Sequence, residues 1–102
     1  MTKFIEVSGK EDLNIKIYAL STCGWCKKTK TFFRERGIAF RYVDVDLLSG
    51  KEKEDVLKEQ GGFNPAQSFP TIVKEDQDVI IGYNEAEMEA WINGGGDGKK
   101  EG

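Results

Sequence analysis

The chain has 102 residues, 38% of them hydrophobic and 32% charged, which allows one domain with a single modest core. Its net charge of −3, with acids and bases interspersed, leaves no electrostatic footprint for nucleic acid, and no apolar run reaches membrane-spanning length. Histidine is absent, which excludes imidazole acid–base chemistry, histidine-based triads and zinc sites that use histidine.

Residues 4–7 alternate weakly and are read as a short edge strand, followed by a turn over residues 9–12. Residues 15–20 (Ile-Lys-Ile-Tyr-Ala-Leu) read as a buried strand. Residues 23–36 contain no proline and have helical composition, with Cys26, Thr29, Phe32 and Phe33 on one side. Thr22 stands where an N-cap would, and Gly37 where a helix ends. Residues 40–45, rich in aromatic and β-branched side chains, form the next strand. Strand, helix and strand within about 30 residues make a βαβ unit, so the two strands should be parallel with a right-handed crossover.

Ser49 and Glu52 have the spacing of a capping box that opens a second helix, and Gly61-Gly62 should stop it after about Gln60. Ile72-Val73 and Val79-Ile80-Ile81 flank a polar turn and suggest an antiparallel hairpin. Asn84, with Glu87 three residues on, is an N-cap pattern for a last helix whose apolar stripe is Met88, Trp91 and Ile92. Met88 and Trp91 are assigned to the core, and Gly94 ends the helix. The glycine-rich, charged residues 94–102 can bury nothing and are expected to form a flexible tail to a domain spanning 1–93.

The two cysteines lie in Cys23-Gly24-Trp25-Cys26, directly after the strand at 15–20. Both fall on the first turn of the helix, near enough for a disulfide. A helix N-terminus offers partial positive charge and unsatisfied N–H groups, which favour a thiolate over a thiol. The first seven residues have neither an apolar h-region nor a small-residue cleavage site, so the chain reads as cytoplasmic. That compartment reduces ordinary disulfides, so the pair points to redox chemistry more than to a structural staple. Without histidine or a third cysteine, one chain cannot complete a closed tetrahedral metal site, and no metal is assigned. There is no nucleotide-binding glycine fingerprint either, so an electron carrier of this kind needs a partner.

A strand, then Cys-x-x-Cys opening a helix, a βαβ unit, Phe69-Pro70-Thr71 leading into a hairpin, and Gly82-Tyr83 before a final helix: in these features residues 14–93 resemble glutaredoxins. The resemblance implies an α/β, thioredoxin-like fold with a four-stranded mixed sheet flanked by helices, to which residues 4–7 would add an edge strand. It implies a dithiol–disulfide oxidoreductase in which Cys23 attacks a disulfide and Cys26 resolves the mixed disulfide. Pro70 matches the family's cis-proline, which turns the chain so that Phe69 offers its backbone to an incoming peptide.

Trp25, Phe69, Pro70, Thr71, Gly82, Tyr83 and Asn84 make up the expected substrate-binding set. Within it, Trp25 is either a contact platform or a tolerated spacer, Tyr83 either borders the groove or closes the sheet end, and Asn84 is either a cap or part of a carboxylate site. Lys27 and Lys28 either add positive potential or form a solvated face. Glutathione-using members commonly carry a basic residue three positions before the first cysteine; here that position is Leu20.

The expected substrates are disulfides in proteins or small molecules. Electrons would come from glutathione or another low-molecular-weight thiol, or from an upstream reductase. A monomer with no permanently bound cofactor is expected. The alternative is a [2Fe–2S] carrier, in which Gly24 eases access to Cys23 and a dimer with added thiol supplies four thiolates.

Overall fold

The computed structural model describes residues 4–94. In chain order they form β1 (Ile5–Val7), β2 (Glu11–Ala19), α1 (Gly24–Glu35), β3 (Ile38–Asp44), α2 (Gly50–Phe63), β4 (Thr71–Lys74), β5 (Asp78–Ile81) and α3 (Glu85–Gly94), with a single 3-10 turn at Val45–Leu47. The strands make one mixed sheet in the order β1-β3-β2-β4-β5. β2 and β3 run parallel, joined through α1 as a βαβ unit, with Ile17 opposite Tyr42 and Ala19 opposite Asp44. β1 adds to the outer side of β3 in antiparallel fashion, and β4 and β5 form the expected antiparallel hairpin on the other side of β2. Among the described residues no helix is long and apolar enough to cross a membrane.

Alternation along the strands divides the core between two faces. Ile15, Ile17 and Ala19 of β2, Ile38 and Phe40 of β3, Ile72 and Ile80 pack with Cys26, Phe32 and Phe33 of α1 and Met88 and Trp91 of α3. Tyr18, Val43, Val45 and Val73 point to the opposite face, where Val56, Leu57 and Phe63 of α2 cover them. A helical stripe on α1 and an alternating strand therefore meet, and both periods are visible in the sequence. Met88 and Trp91 are core residues, as assigned.

Besides β3, which spans Ile38–Asp44 rather than residues 40–45, three details differ from the sequence reading. β2 begins at Glu11 rather than Ile15, and its pairing with β3 is irregular between Asp12 and Ile15. There Asn14 takes a positive φ of 58° and its N–H donates to Asp12 Oδ1 at 2.8 Å, a local turn that hides the start of the strand. α2 passes through Gly61 and Gly62 and ends at Phe63. Each interior glycine costs about 1 kcal/mol, which the packing of the partly buried Phe63 against the sheet offsets.

The third difference is at the start of the same helix. Ser49 is its N-cap residue, but its hydroxyl makes no capping bond, because Gly50 turns the chain at a φ of +59°. The expected tail lies outside the described residues beyond Gly94.

Candidate active site at the start of the first helix

The N-cap of α1 is Cys23, one residue later than the expected Thr22. Its extended backbone lets the side chain do what a serine or threonine does at that position. Cys23 Sγ accepts the backbone N–H of Cys26 at 3.1 Å, so a thiol replaces a hydroxyl as the cap. The carbonyl of Cys23 accepts from Lys27 N–H, and its own N–H donates to the Leu20 carbonyl at the end of β2. Cys23 is thus tied to both strand and helix. A side chain added at Gly24 would meet nothing within 4 Å, so the space beside Cys23 is open.

Both cysteines are free thiols, Cys23 partly exposed and Cys26 buried. Burial pushes the Cys26 thiol up to about 12, and its hydrogen bond with Cys23 adds to the rise. A backbone hydrogen bond with Leu20 and the charge of Lys30 pull the other way. The accessible sulfur and the sequestered one are clearly distinguished.

Beside them lies a cleft of about 280 Å³ lined by Trp25, Phe69, Pro70, Gly82 and Tyr83. The Phe69–Pro70 peptide is cis, as expected. The Pro70 carbonyl accepts the Gly82 N–H at 2.8 Å, and Gly82 adopts a φ of +84° that brings the chain out of β5 toward the cleft. Trp25 is 58% exposed and stacks on Tyr83, with ring centroids 5.5 Å apart and planes 29° from parallel. Tyr83 also meets Phe32 edge-on, so it both borders the cleft and closes the core. Cys23, Phe69 and Tyr83 pack on the rim of the same core cluster. A wider polar groove of about 490 Å³ lies against β1 and the start of β2, and holds neither cysteine.

Two members of the expected substrate-binding set have their side chains elsewhere. Thr71 is fully buried on the α2 face. Its hydroxyl donates to the Ser68 carbonyl at 2.7 Å and accepts from Gln60 Nε2 at 3.1 Å and Asn64 Nδ2 at 3.0 Å. It fastens the loop before Pro70 to α2 and does not line the cleft. Asn84 is the cap of α3, its Oδ1 accepting from Glu87 N–H at 3.1 Å and its carbonyl from Met88 N–H at 3.0 Å.

Three groups escaped the sequence reading. Gln60 and Asn64 are buried polar residues of α2 and its C-cap, recognisable only from their spacing on a helix taken to end earlier. Asp46 grips Ser21 with both oxygens, accepting from its N–H at 2.7 Å and its hydroxyl at 2.5 Å, across 25 residues that give no local signal. The Ser21 hydroxyl, then its N–H, hold the Asp46 carboxyl below the usual carboxylate range. Lys30 pairs with Asp44 at 3.0 Å and lies 3.9 Å from the centre of the Tyr42 ring. Its signal was a lysine four residues after Cys26, on the buried side of the helix.

Residues 15–79 match the family model of glutaredoxin. The chain belongs to the glutaredoxin family. It is 37% identical over 81 residues to an uncharacterized glutaredoxin-like 8.6 kDa protein of a rubredoxin operon in Clostridium pasteurianum, covering 76% of this chain and 96% of that protein. Among solved structures, the glutaredoxin from Methanosarcina mazei Go1 superimposes with a TM-score of 0.80 at 42% identity, covering 89% of this chain and 88% of that one. The methanoredoxin of Methanosarcina acetivorans superimposes with a TM-score of 0.78 at 42% identity, covering 83% and 90%. The fold is accordingly the thioredoxin-like fold of glutaredoxins, here with an additional N-terminal edge strand, and the chain is a glutaredoxin-like redox protein.

Proposed function

We propose that this glutaredoxin is a dithiol–disulfide oxidoreductase that reduces protein or low-molecular-weight disulfides through Cys23 and Cys26. The observation that carries the reading is the pairing of a partly exposed Cys23 Sγ, held by the Cys26 N–H at 3.1 Å, with a buried Cys26 thiol beside a cleft lined by Trp25, Phe69 and Tyr83. Cys23 attacks one substrate sulfur as a thiolate, the substrate S–S bond breaks, and the first thiol leaves. Cys26 then attacks Cys23 Sγ, forms the Cys23–Cys26 disulfide and releases the second thiol. Two electrons and two protons pass from the protein to the substrate. Burial keeps Cys26 from reacting first with a bulky disulfide.

The cleft receives the polypeptide or small molecule around the attacked sulfur. Phe69 presents backbone in β-like fashion, while the Trp25–Tyr83 stack supplies apolar area. Leu20 packs into the α2-side cluster and brings no cation to the position where glutathione users commonly have one. This supports a donor that makes no ion pair there, either another low-molecular-weight thiol or a dedicated reductase, in a reducing, cytoplasmic setting.

The test is an equilibrium titration of the cysteine pair in glutathione buffers, followed by tryptophan fluorescence and by intact mass. A two-state dithiol–disulfide transition with no glutathione adduct is the expected result. A stable adduct on Cys23 across the transition would assign glutathione as the donor, and no transition at all would refute the oxidoreductase reading.

A further inference from the structure

The Lys30–Asp44 pair is poorly explained as a staple. Both side chains are largely withdrawn from water, at 15% and 13% exposure. Desolvation offsets much of the attraction in such a pair, and apolar replacements of similar volume are often no less stable. Its place in the fold suggests another use. Lys30 stands four residues after Cys26 on α1, one turn further along the same face, where side chains are neighbours with Cβ atoms about 5–6 Å apart. Asp44 ends β3 and pairs across the sheet with Ala19, which is buried in the same cluster as Cys26. By alternation from Phe40 and Tyr42, Asp44 faces the α1 side. The Tyr42 ring, 3.9 Å from Lys30 Nζ, holds the ammonium from a second side.

We infer that Lys30, fixed by Asp44 and Tyr42, is a positioning residue for the second half-reaction: a cation beside Cys26 that stabilises the negative charge this sulfur carries as it attacks Cys23. Asp44 sets how much of that charge Cys26 experiences. The inference rests on the oxidoreductase reading above. In the step concerned, the Cys26 thiolate attacks Cys23 Sγ, the bond from Cys23 to the substrate sulfur breaks, and the Cys23–Cys26 bond forms. The substrate leaves as a thiolate and takes up the proton that Cys26 gave up, so no outside oxidant or reductant is needed.

Several other ionisable groups around this end of the sheet are engaged or turned outward, while Glu52 at the start of α2, beyond the 3-10 turn, keeps a buried oxygen without a hydrogen-bond partner. Asp46 of the 3-10 turn is held on Ser21, and Tyr83 is stacked on Trp25. Lys27 and Lys28 are on the exposed side of α1. On α3, Glu85 and Glu89 pair with Arg36 at the far end of α1. Lys30 also counters the effect of burial on the Cys26 thiol, in the direction the inference needs.

The test is stopped-flow reaction of the reduced protein with the coloured aromatic disulfide dithiobis(nitrobenzoate). Attack by Cys23 releases one nitrothiobenzoate in a phase that depends on reagent concentration. Resolution by Cys26 releases the second in a phase that does not. Lys30→Met should slow the second phase several-fold and move its pH profile upward while leaving the first phase unchanged. Asp44→Asn should speed the second phase and move the profile downward. Lys30→Arg should behave as the unaltered protein.

The double variant Lys30→Met/Asp44→Asn leaves no charge unpaired and so protects the test against misfolding. It should fall between the unaltered protein and Lys30→Met. If Lys30→Met and Asp44→Asn shift the second phase in the same direction, or the double variant matches the unaltered protein, the inference is overturned. If the unaltered protein shows no second phase, the oxidoreductase reading fails instead.

Discussion

Cys26 donates its backbone N–H to the sulfur of Cys23 at 3.1 Å, so the residue assigned to attack is also the cap of the helix that carries the residue assigned to resolve. The position of the Cys23 sulfur is a consequence of helix initiation. The first turn of α1 cannot form in this way without placing the Cys23 sulfur on an N–H group at the positive end of the helix. Structure and chemistry draw here on the same bond.

This dual role separates two substitutions at Cys23. Cys23→Ser keeps an acceptor at the cap and should unfold in urea close to the unaltered reduced protein. Cys23→Ala removes the acceptor and should be less stable than the serine variant by about 0.5–2 kcal/mol. Both should lose disulfide reduction entirely. Equal stability of the two variants would show that the cap bond does not contribute.

Burial of Cys26 gives the reduced protein a pH dependence of known sign. Its thiol is neutral in the folded state up to about 12, against 9.0 for an unperturbed thiol. Below the lower value both states hold the proton and nothing changes. Between the two values the unfolded chain has lost it and the folded chain has not, so stability falls as pH rises through that window. Tyr18, also raised by burial, contributes in the same direction at the alkaline end. Urea titrations at a series of alkaline pH values should show a steeper decline for the reduced protein than for Cys26→Ser, which retains Tyr18. Parallel declines would contradict the assignment to Cys26.

Thr71 distinguishes fastening from binding. Thr71→Val leaves the Gln60 and Asn64 amides short of an acceptor in the interior, at a cost of about 1–3 kcal/mol. Thr71→Ser preserves the hydroxyl and should cost much less. Chemical denaturation measures the difference. Because the Thr71 side chain is buried away from the cleft, Thr71→Ser should leave KM for disulfide substrates unchanged. A raised KM in that variant would place the side chain in substrate binding after all.

Much of this molecule was readable before any coordinates. The βαβ unit followed from a helical stripe between two strand-like runs, and the hairpin from a polar turn between two apolar segments. The Cys23–Cys26 pair at a helix start was visible in the local motif, and the resemblance to glutaredoxins pointed to Pro70, whereas the stacking of Trp25 on Tyr83 emerged only in the fold. What stayed hidden depends on distance in sequence or on tertiary packing. Ser21 and Asp46 meet across 25 residues, and nothing near either announces the other.

Gly61 and Gly62 look like a stop but lie inside α2, because Phe63 is packed against the sheet. That longer helix is what brings Asn64 onto Thr71, so misjudging its end also concealed the polar network behind the proline loop. The cap was displaced by one residue because a thiol is a weak acceptor and a threonine beside it is the better candidate by propensity alone.

The most direct test of the central claim is to react Cys26→Ser with a disulfide substrate and measure its intact mass, then map the site of any adduct. If Cys23 attacks and Cys26 resolves, the variant accumulates one substrate thiol per chain on Cys23, while the unaltered protein ends as an intramolecular disulfide with no adduct. An unaltered protein that retains the adduct, or a variant that forms none, would contradict the account.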